Sequence, residues 1–321
     1  MSAGTRNSHD RKGPTFLGIG SQRCATTFVN QVLEAHPRVR MAPKEPSFFN
    51  YNCRQKGLGW YLQLFEGSID SVTDERVDVR GEISPNYAVM RPREVRLAHD
   101  LFPDLDLILI VRHPVDRMWS ALRRHWTFSY LDGVGEIGTD EACILDYADQ
   151  YLSDAFGDYR RIYKNWATVF GSDQILLLRF ERLRSDPDET LARILKFVGV
   201  DPDLEWIRSY RESTSVPNRS KADVDMPAYI RYYLARRYLN RTKKFNVLTD
   251  GLVQDWVDDM EACVSEASSI WEARYQLRST VRYRPVQWAH RLLDPVRMWW
   301  KVKRARENLP EITTDVGSVE K

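Results

Sequence analysis

The sequence predicts an α/β protein with a three-layer fold, a mostly parallel central sheet and a helical C-terminal extension. Residues 106–111 read DLILIV, and such a near-continuous run of branched aliphatic residues is typical of a strand buried on both faces. Strand-like runs also alternate with helix-like segments along the N-terminal part of the chain, the order found when helices cover both faces of a parallel sheet. Ligands of such folds bind beyond the carboxyl ends of the strands.

Three strand–helix pairs establish this alternation. The first strand is a short apolar run that ends in glycine, and apolar side chains at helical spacing follow it. The second helix has Pro114 in its first turn, where proline is favoured. A weaker strand candidate lies at residues 77–83, and two amphipathic helices are expected at residues 227–241 and 250–278. The three pairs are residues 15–20 with 25–35, 106–111 with 114–128, and 174–180 with 186–197.

Composition narrows the class of protein. Charged residues make up 29% of the chain, and no run approaches the roughly 20 apolar residues of a membrane-spanning helix. The first residues are polar and lack the apolar core of a secretory signal, which favours a cytoplasmic location. Four scattered cysteines are expected to be reduced. The expected organisation is a disordered leader (1–13), an α/β domain (14–245), a helical basic-aromatic extension (246–308) and a disordered tail (309–321).

The loop between the first strand and its helix is suited to binding an anion. It runs from Gly20 to Thr27, and its small residues let backbone N–H groups turn towards a ligand at a helix N-terminus. Arg23 adds a full charge, and Thr26 and Thr27 add hydroxyl donors. The loop is P-loop-like, but the Walker A pattern GxxxxGK[ST] is absent. An ordinary strand–helix turn is the alternative interpretation.

A second basic loop follows the central strand directly. Arg112 stands at the carboxyl end of that strand, Arg117 lies in the next helix, and Ser120 lies one turn beyond it. This spacing predicts two guanidinium groups and a hydroxyl around one phosphate-sized site. The alternative for Arg117 is an ion pair with a carboxylate such as Asp116 or Glu82.

At these residues the chain resembles the superfamily of sulfotransferases that use 3'-phosphoadenosine 5'-phosphosulfate (PAPS), and among them the heparan-sulfate-type and bacterial carbohydrate sulfotransferases. The likeness covers roughly residues 15–240. Ala25 stands where the family usually has glycine, Arg23 replaces a common lysine, and Ile83 stands where those members often have lysine. The matching segments are the first loop, RxPxxRxxS at Arg112–Ser120, KExxFF at Lys44–Phe49, ExSPxY at Glu82–Tyr87, and Phe180–Leu183 with Asp186-Pro187.

The resemblance implies a donor site for PAPS, with PAP as product and no metal. The first loop, Gln22, Arg23, Cys24, Ala25, Thr26 and Thr27, would bind the 5'-phosphosulfate. Arg112 and Ser120 would hold the 3'-phosphate. A later loop with Arg219 and Lys221 would close over the nucleotide, for which a solvated loop is the alternative.

Two residues compete for the role of general base. Glu45 of the KExxFF segment would remove the acceptor proton, and Arg23 would stabilise charge on the leaving phosphate. An ion pair with Lys44 or an arginine is the alternative for Glu45. His125, on the helix of Ser120, is the competing base.

The acceptor and the C-terminal segment are less well defined. A carbohydrate, glycolipid or other small-molecule acceptor is expected, and no nucleic acid partner. Trp60, Tyr61 and Trp126 are sugar-stacking candidates, for which packing in the core is the alternative. Between Arg282 and Arg306 lie eight Arg or Lys and one acid, interleaved with tryptophans. These residues either contact an anionic membrane surface or pack on the catalytic domain. The alternative functions are a P-loop-type nucleotide kinase and a non-catalytic nucleotide- or glycan-binding relative.

Overall fold

The structure is a computed structural model, and it describes four stretches of the chain. Within them, the backbone is described throughout, while some helical side chains are not. The described residues are 13–66, 79–131, 141–214 and 225–279, without the side chains of residues 125–131, 142–143 and 151–152.

The described residues form one parallel sheet of five strands in the order β2-β3-β1-β4-β5. The strands are β1 (Phe16–Gly20), β2 (Val39–Met41), β3 (Val79–Ile83), β4 (Asp106–Val111) and β5 (Ile175–Arg179). Because every pair is parallel, the carboxyl ends of β1, β3 and β4 meet at one edge. The predicted fold class is confirmed.

Helices and tight turns connect and cover the strands. A π-helical turn, Phe48–Asn52, precedes the second helix, and a 3-10 turn, Pro85–Val89, follows β3. The helices are α1 (Thr26–Ala35), α2 (Cys53–Gln63), α3 (Pro92–Leu101), α4 (Pro114–Leu131), α5 (Glu141–Ala148), α6 (Tyr151–Ala155), α7 (Tyr159–Phe170), α8 (Phe180–Ser185), α9 (Pro187–Phe197), α10 (Leu204–Ser213), α11 (Ala228–Leu248), α12 (Gln254–Ser265) and α13 (Ser269–Leu277).

Strand β4 is buried on both faces of the sheet. Its side chains alternate between the two faces of the sheet, as the period of a strand requires. Ile108 and Ile110 join a core layer formed with α1, α9 and α10. Leu107, Leu109 and Val111 point the other way and are equally buried. Burial on both faces explains the unbroken aliphatic run in the sequence.

Two sequence-based expectations about the C-terminal part need revision. The single helix predicted over residues 250–278 is wrong: α12 and α13 are separate helices, and the Ser268 side chain caps α13 by accepting a hydrogen bond from the Trp271 N–H. The expected domain boundary at residue 245 falls inside α11. The chain divides into two units between Ala267 and Ser268, so α11 and α12 belong to the first unit and α13 to the second. Among the described helices, none has the length and apolarity needed to cross a bilayer.

Candidate functional site

The first loop is tied to its neighbours at the carboxyl edge of the sheet. The Ser21 N–H donates to the Ile110 carbonyl at 2.8 Å, which fixes the loop against the end of β4. The Gln22 side-chain amide donates to Asn86 Oδ1 at 2.8 Å, which fixes it to the turn after β3. The loop therefore has a defined position before any ligand binds, so less ordering is needed on binding.

The backbone of this loop adopts an unusual conformation. Arg23 and Ala25 have φ angles of 67° and 60°, in the left-handed region. For residues other than glycine this conformation costs about 1–2 kcal/mol each. Helix α1 begins at Thr26, next to Thr27, with no side-chain cap on its N–H groups. Strained residues cluster at ligand sites, and uncapped helix N–H groups favour an anion.

Three predicted residues from two separate loops meet above this edge. The Arg23 Nε donates to Ser120 Oγ at 3.1 Å, although the two residues lie 97 positions apart. The Arg112 Nη1 donates to the Arg23 carbonyl at 3.2 Å. The Arg112 guanidinium also lies over the Phe180 ring, 4.5 Å from its centroid, which orients its plane. The structure thus brings together Arg23, Arg112 and Ser120 as one group.

This group carries positive charge, and no carboxylate of the described residues is paired with it. Burial, together with the nearby Arg124, Arg112 and Arg123, lowers the pKa of Arg23 to about 10. Among the described residues, neither Arg23 nor Arg112 forms an ion pair with a carboxylate. Clustered guanidinium groups repel one another, and an anion with several negative oxygens relieves that repulsion. The cluster therefore fits phosphate or sulfate groups.

Two side chains of the predicted loops are turned away from the site. Arg117 is 1% exposed, and its Nη2 donates to the Ser153 carbonyl at 2.7 Å. Arg117 is therefore not available for the predicted phosphate contact, and within the described residues it forms no ion pair with Asp116 or Glu82. The second guanidinium beside Ser120 is that of Arg23. The Cys24 side chain is fully buried, and burial raises the pKa of its thiol to about 11, so only its backbone can face a ligand.

Glu45 projects from a strained turn near the same edge. Its side chain is exposed, and its φ of 57° and that of Ser47, 48°, are both left-handed. Among the described residues, no ion pair of Glu45 with Lys44 or an arginine is found. An exposed carboxylate with no cationic partner is suited to accept a proton from a bound molecule.

A buried carboxyl group, that of Glu82, lies beneath this turn; the sequence indicated Glu82 only as part of the ExSPxY segment and as a possible partner of Arg117. Glu82 is fully buried and accepts hydrogen bonds from Tyr61, Tyr87 and Ser84 at 2.6–2.7 Å. Burial raises the pKa of Glu82 from 4.5 to about 6, although the three hydroxyl donors lower it. The available signal was an acid inside the otherwise apolar end of a strand, since such an acid needs donors around it.

The aromatic candidates for sugar stacking differ in their surroundings. Tyr61 is fully buried against Phe48 and donates to Glu82, so it is a core residue, as the alternative interpretation has it, and not a stacking surface. Trp60 is half-buried, and the Lys56 ammonium lies 4.1 Å from its ring centroid.

Several predictions fall outside what the structure describes. His125 and Trp126 lie in α4, but their side chains are outside the description. Arg219, Lys221 and residues 282–306 lie outside the described residues, so their predicted roles and the cytoplasmic location stay predictions. No group of three or more His, Cys, Asp or Glu side chains placed to hold a metal ion is found in the described part of the chain.

Comparison with known proteins agrees with this geometry. The family model described as "Sulfotransferase domain" matches residues 14–274. Human heparan sulfate glucosamine 3-O-sulfotransferase 6 is 28% identical over 200 residues, covering 59% of this chain and 53% of that protein. The bovine bifunctional heparan sulfate N-deacetylase/N-sulfotransferase 2 is 25% identical over 212 residues, covering 62% of this chain and 23% of that protein.

A solved structure shares the fold. A sulfotransferase from Alicyclobacillus acidocaldarius superposes with a TM-score of 0.55 at 21% identity, covering 76% of this chain and 98% of that chain. The chain spans about half the length of the human relative and less of the bovine one. Since the family model covers most of the chain, including both basic loops, this protein belongs to the family defined by the sulfotransferase domain.

Proposed function

We propose that this chain transfers a sulfuryl group from PAPS to an acceptor hydroxyl or amine on a carbohydrate, and releases PAP. The observation that carries the proposal is the group of Arg23, Arg112 and Ser120, in which neither guanidinium forms an ion pair with any carboxylate of the described residues. PAPS carries anionic groups at both ends of its adenosine, which matches two basic loops at one sheet edge. The curated relatives act on heparan sulfate by their names, which supports a carbohydrate acceptor.

Each residue then has a defined task. Arg23 and the N–H groups at the start of α1 bind the 5'-phosphosulfate, and Arg23 stabilises the negative charge that develops on the leaving phosphate. Arg112 and Ser120 bind the 3'-phosphate and fix the register of the donor. Bound PAPS supplies the sulfuryl group.

Glu45 acts on the acceptor. Its carboxylate takes the acceptor proton while the acceptor oxygen or nitrogen forms the bond to sulfur. The bond between sulfur and the 5'-phosphate oxygen breaks, and its electron pair stays on PAP. A base of this kind contributes roughly 10²- to 10⁴-fold to the rate.

The test is incubation of the protein with radiolabelled PAPS and a panel of glycan, glycolipid and small-molecule acceptors in the presence of EDTA. The proposal predicts label on a carbohydrate. No transfer to any carbohydrate by a folded sample would overturn the proposed acceptor class. Transfer to another acceptor alone would keep the reaction and replace the acceptor.

A further inference from the structure

The side chains of Ser84 and Asn52 hold the turn that carries Glu45. The Ser47 N–H donates to Ser84 Oγ at 3.1 Å, and the Asn52 Nδ2 donates to the Pro46 carbonyl at 2.7 Å. The two contacts therefore hold Pro46 and Ser47, the two residues directly after Glu45. Left-handed residues other than glycine persist only where surrounding contacts hold them, and both Glu45 and Ser47 have that conformation.

Ser84 is itself held in place on three sides. Its N–H donates to the Gly18 carbonyl of β1 at 3.0 Å, so its backbone is fixed to the strand that leads into the first loop. Its hydroxyl donates to Glu82 Oε2 at 2.6 Å. A hydroxyl that donates to a carboxylate keeps its lone pairs for acceptance, and the Ser47 N–H takes one of them.

The carboxylate that orients Ser84 is also fixed. Tyr61 and Tyr87 both donate to its other oxygen, Oε1, at 2.6 and 2.7 Å. All four side chains of this cluster are fully buried. A continuous set of hydrogen bonds therefore runs from Glu82 through Ser84 to Ser47, two residues from Glu45.

We infer that Ser84, oriented by Glu82 and assisted by Asn52, is a positioning residue that fixes the position of the Glu45 turn relative to the first loop. The inference rests on the proposed function of Glu45 as general base. Ser84 binds β1 through its backbone and the Glu45 turn through its hydroxyl. Because β1 leads into the first loop, Ser84 links the position of the base to the position of that loop. A small misplacement of a reacting group reduces the rate steeply.

The test compares two variants that each remove one hydroxyl from Glu82. Ser84→Ala breaks the link to Ser47, whereas the matched control Tyr61→Phe removes a donor to Oε1 and leaves that link intact. Ser84→Ala should lower kcat about 10- to 100-fold with unchanged PAP affinity. Tyr61→Phe should keep kcat within about twofold. Equal kcat losses in the two variants, or a loss in Ser84→Ala that follows PAP affinity, would overturn the inference.

A second readout needs neither donor nor acceptor. Amide hydrogen exchange at Ser47 in the unliganded protein should be about fivefold faster or more in Ser84→Ala, and unchanged in Tyr61→Phe. Unchanged exchange in Ser84→Ala would contradict the positioning contact even if the wild type proves to have no sulfuryl transfer. If Ser84→Ala does not fold, Asn52→Ala takes its place and should show the same loss of kcat; a normal kcat would overturn the inference.

Discussion

Replacing Arg112 with alanine should weaken the binding of PAP much more than the binding of 5'-AMP, which lacks the 3'-phosphate. In the structure, one guanidinium N–H of Arg112 donates to the Arg23 carbonyl, and the guanidinium is oriented by the Phe180 ring. A guanidinium has five N–H donors, so donors remain for a phosphate. Ser120 contacts Arg23, whose carbonyl accepts from Arg112, so the three residues lie together.

The expected loss follows from the kind of contact. A hydrogen bond to a charged group contributes about 1.5–3 kcal/mol. The affinity for PAP should therefore fall about 10- to 150-fold in Arg112→Ala. The affinity for 5'-AMP should change little, because 5'-AMP has no 3'-phosphate and makes this contact with neither the wild type nor the variant.

Arg179→Ala is the matched control. Arg179 ends the neighbouring strand β5 and also lies over an aromatic ring, 5.0 Å from the Trp256 centroid. It differs in having an acid partner, Asp255, at 2.6 Å. Isothermal titration calorimetry of both variants with both nucleotides should show a reduced preference for PAP over 5'-AMP in Arg112→Ala alone. Equal losses for PAP and 5'-AMP in Arg112→Ala would refute the assignment of the 3'-phosphate to this residue.

Three further predictions concern the base and the strained or buried residues. Glu45→Gln should lower turnover roughly 10²- to 10⁴-fold while calorimetry shows unchanged PAP affinity; unchanged turnover would remove Glu45 from the mechanism. Ala25→Gly should raise the free energy of unfolding in urea by about 1 kcal/mol, because Ala25 has a φ of 60°, whereas Ala98→Gly inside α3 should lower it. For Glu82, the raised pKa of about 6 means that the folded state binds a proton more tightly than the unfolded state does. The stability that this bound proton contributes is lost as the pH rises from 4.5 through 6. Glu82→Gln should therefore gain about 2 kcal/mol relative to the wild type between about pH 4 and about pH 7.5, and a pH-independent difference would contradict the raised pKa.

Local patterns in the sequence predicted the elements that border the site. The strand over residues 106–111 was predicted with its observed bounds because burial on both faces demands a continuous aliphatic run. The helix after Asp186 was found because Asp186 caps it and Pro187 occupies its first turn. The short strand β2 was missed, since three residues give too little periodicity to recognise.

Contacts between distant residues could not be predicted in the same way. The sequence indicated Arg23, Arg112 and Ser120 separately, but the direct contact of Arg23 with Ser120 depends on how β1 and β4 pair. The same limit explains Arg117, which sits at the expected helical spacing but is buried and donates to Ser153 of another helix. Helical spacing indicates which residues share a face, and the packing of neighbouring helices decides which of them reach a ligand.

The most direct test of the proposed donor site is the binding of PAP to the folded wild-type protein, measured by calorimetry in EDTA with 5'-AMP as the comparison. We expect one PAP per chain, with an affinity above that for 5'-AMP by about tenfold or more, because Arg112 and Ser120 recognise the 3'-phosphate. No binding of PAP, or equal affinity for the two nucleotides, would contradict it.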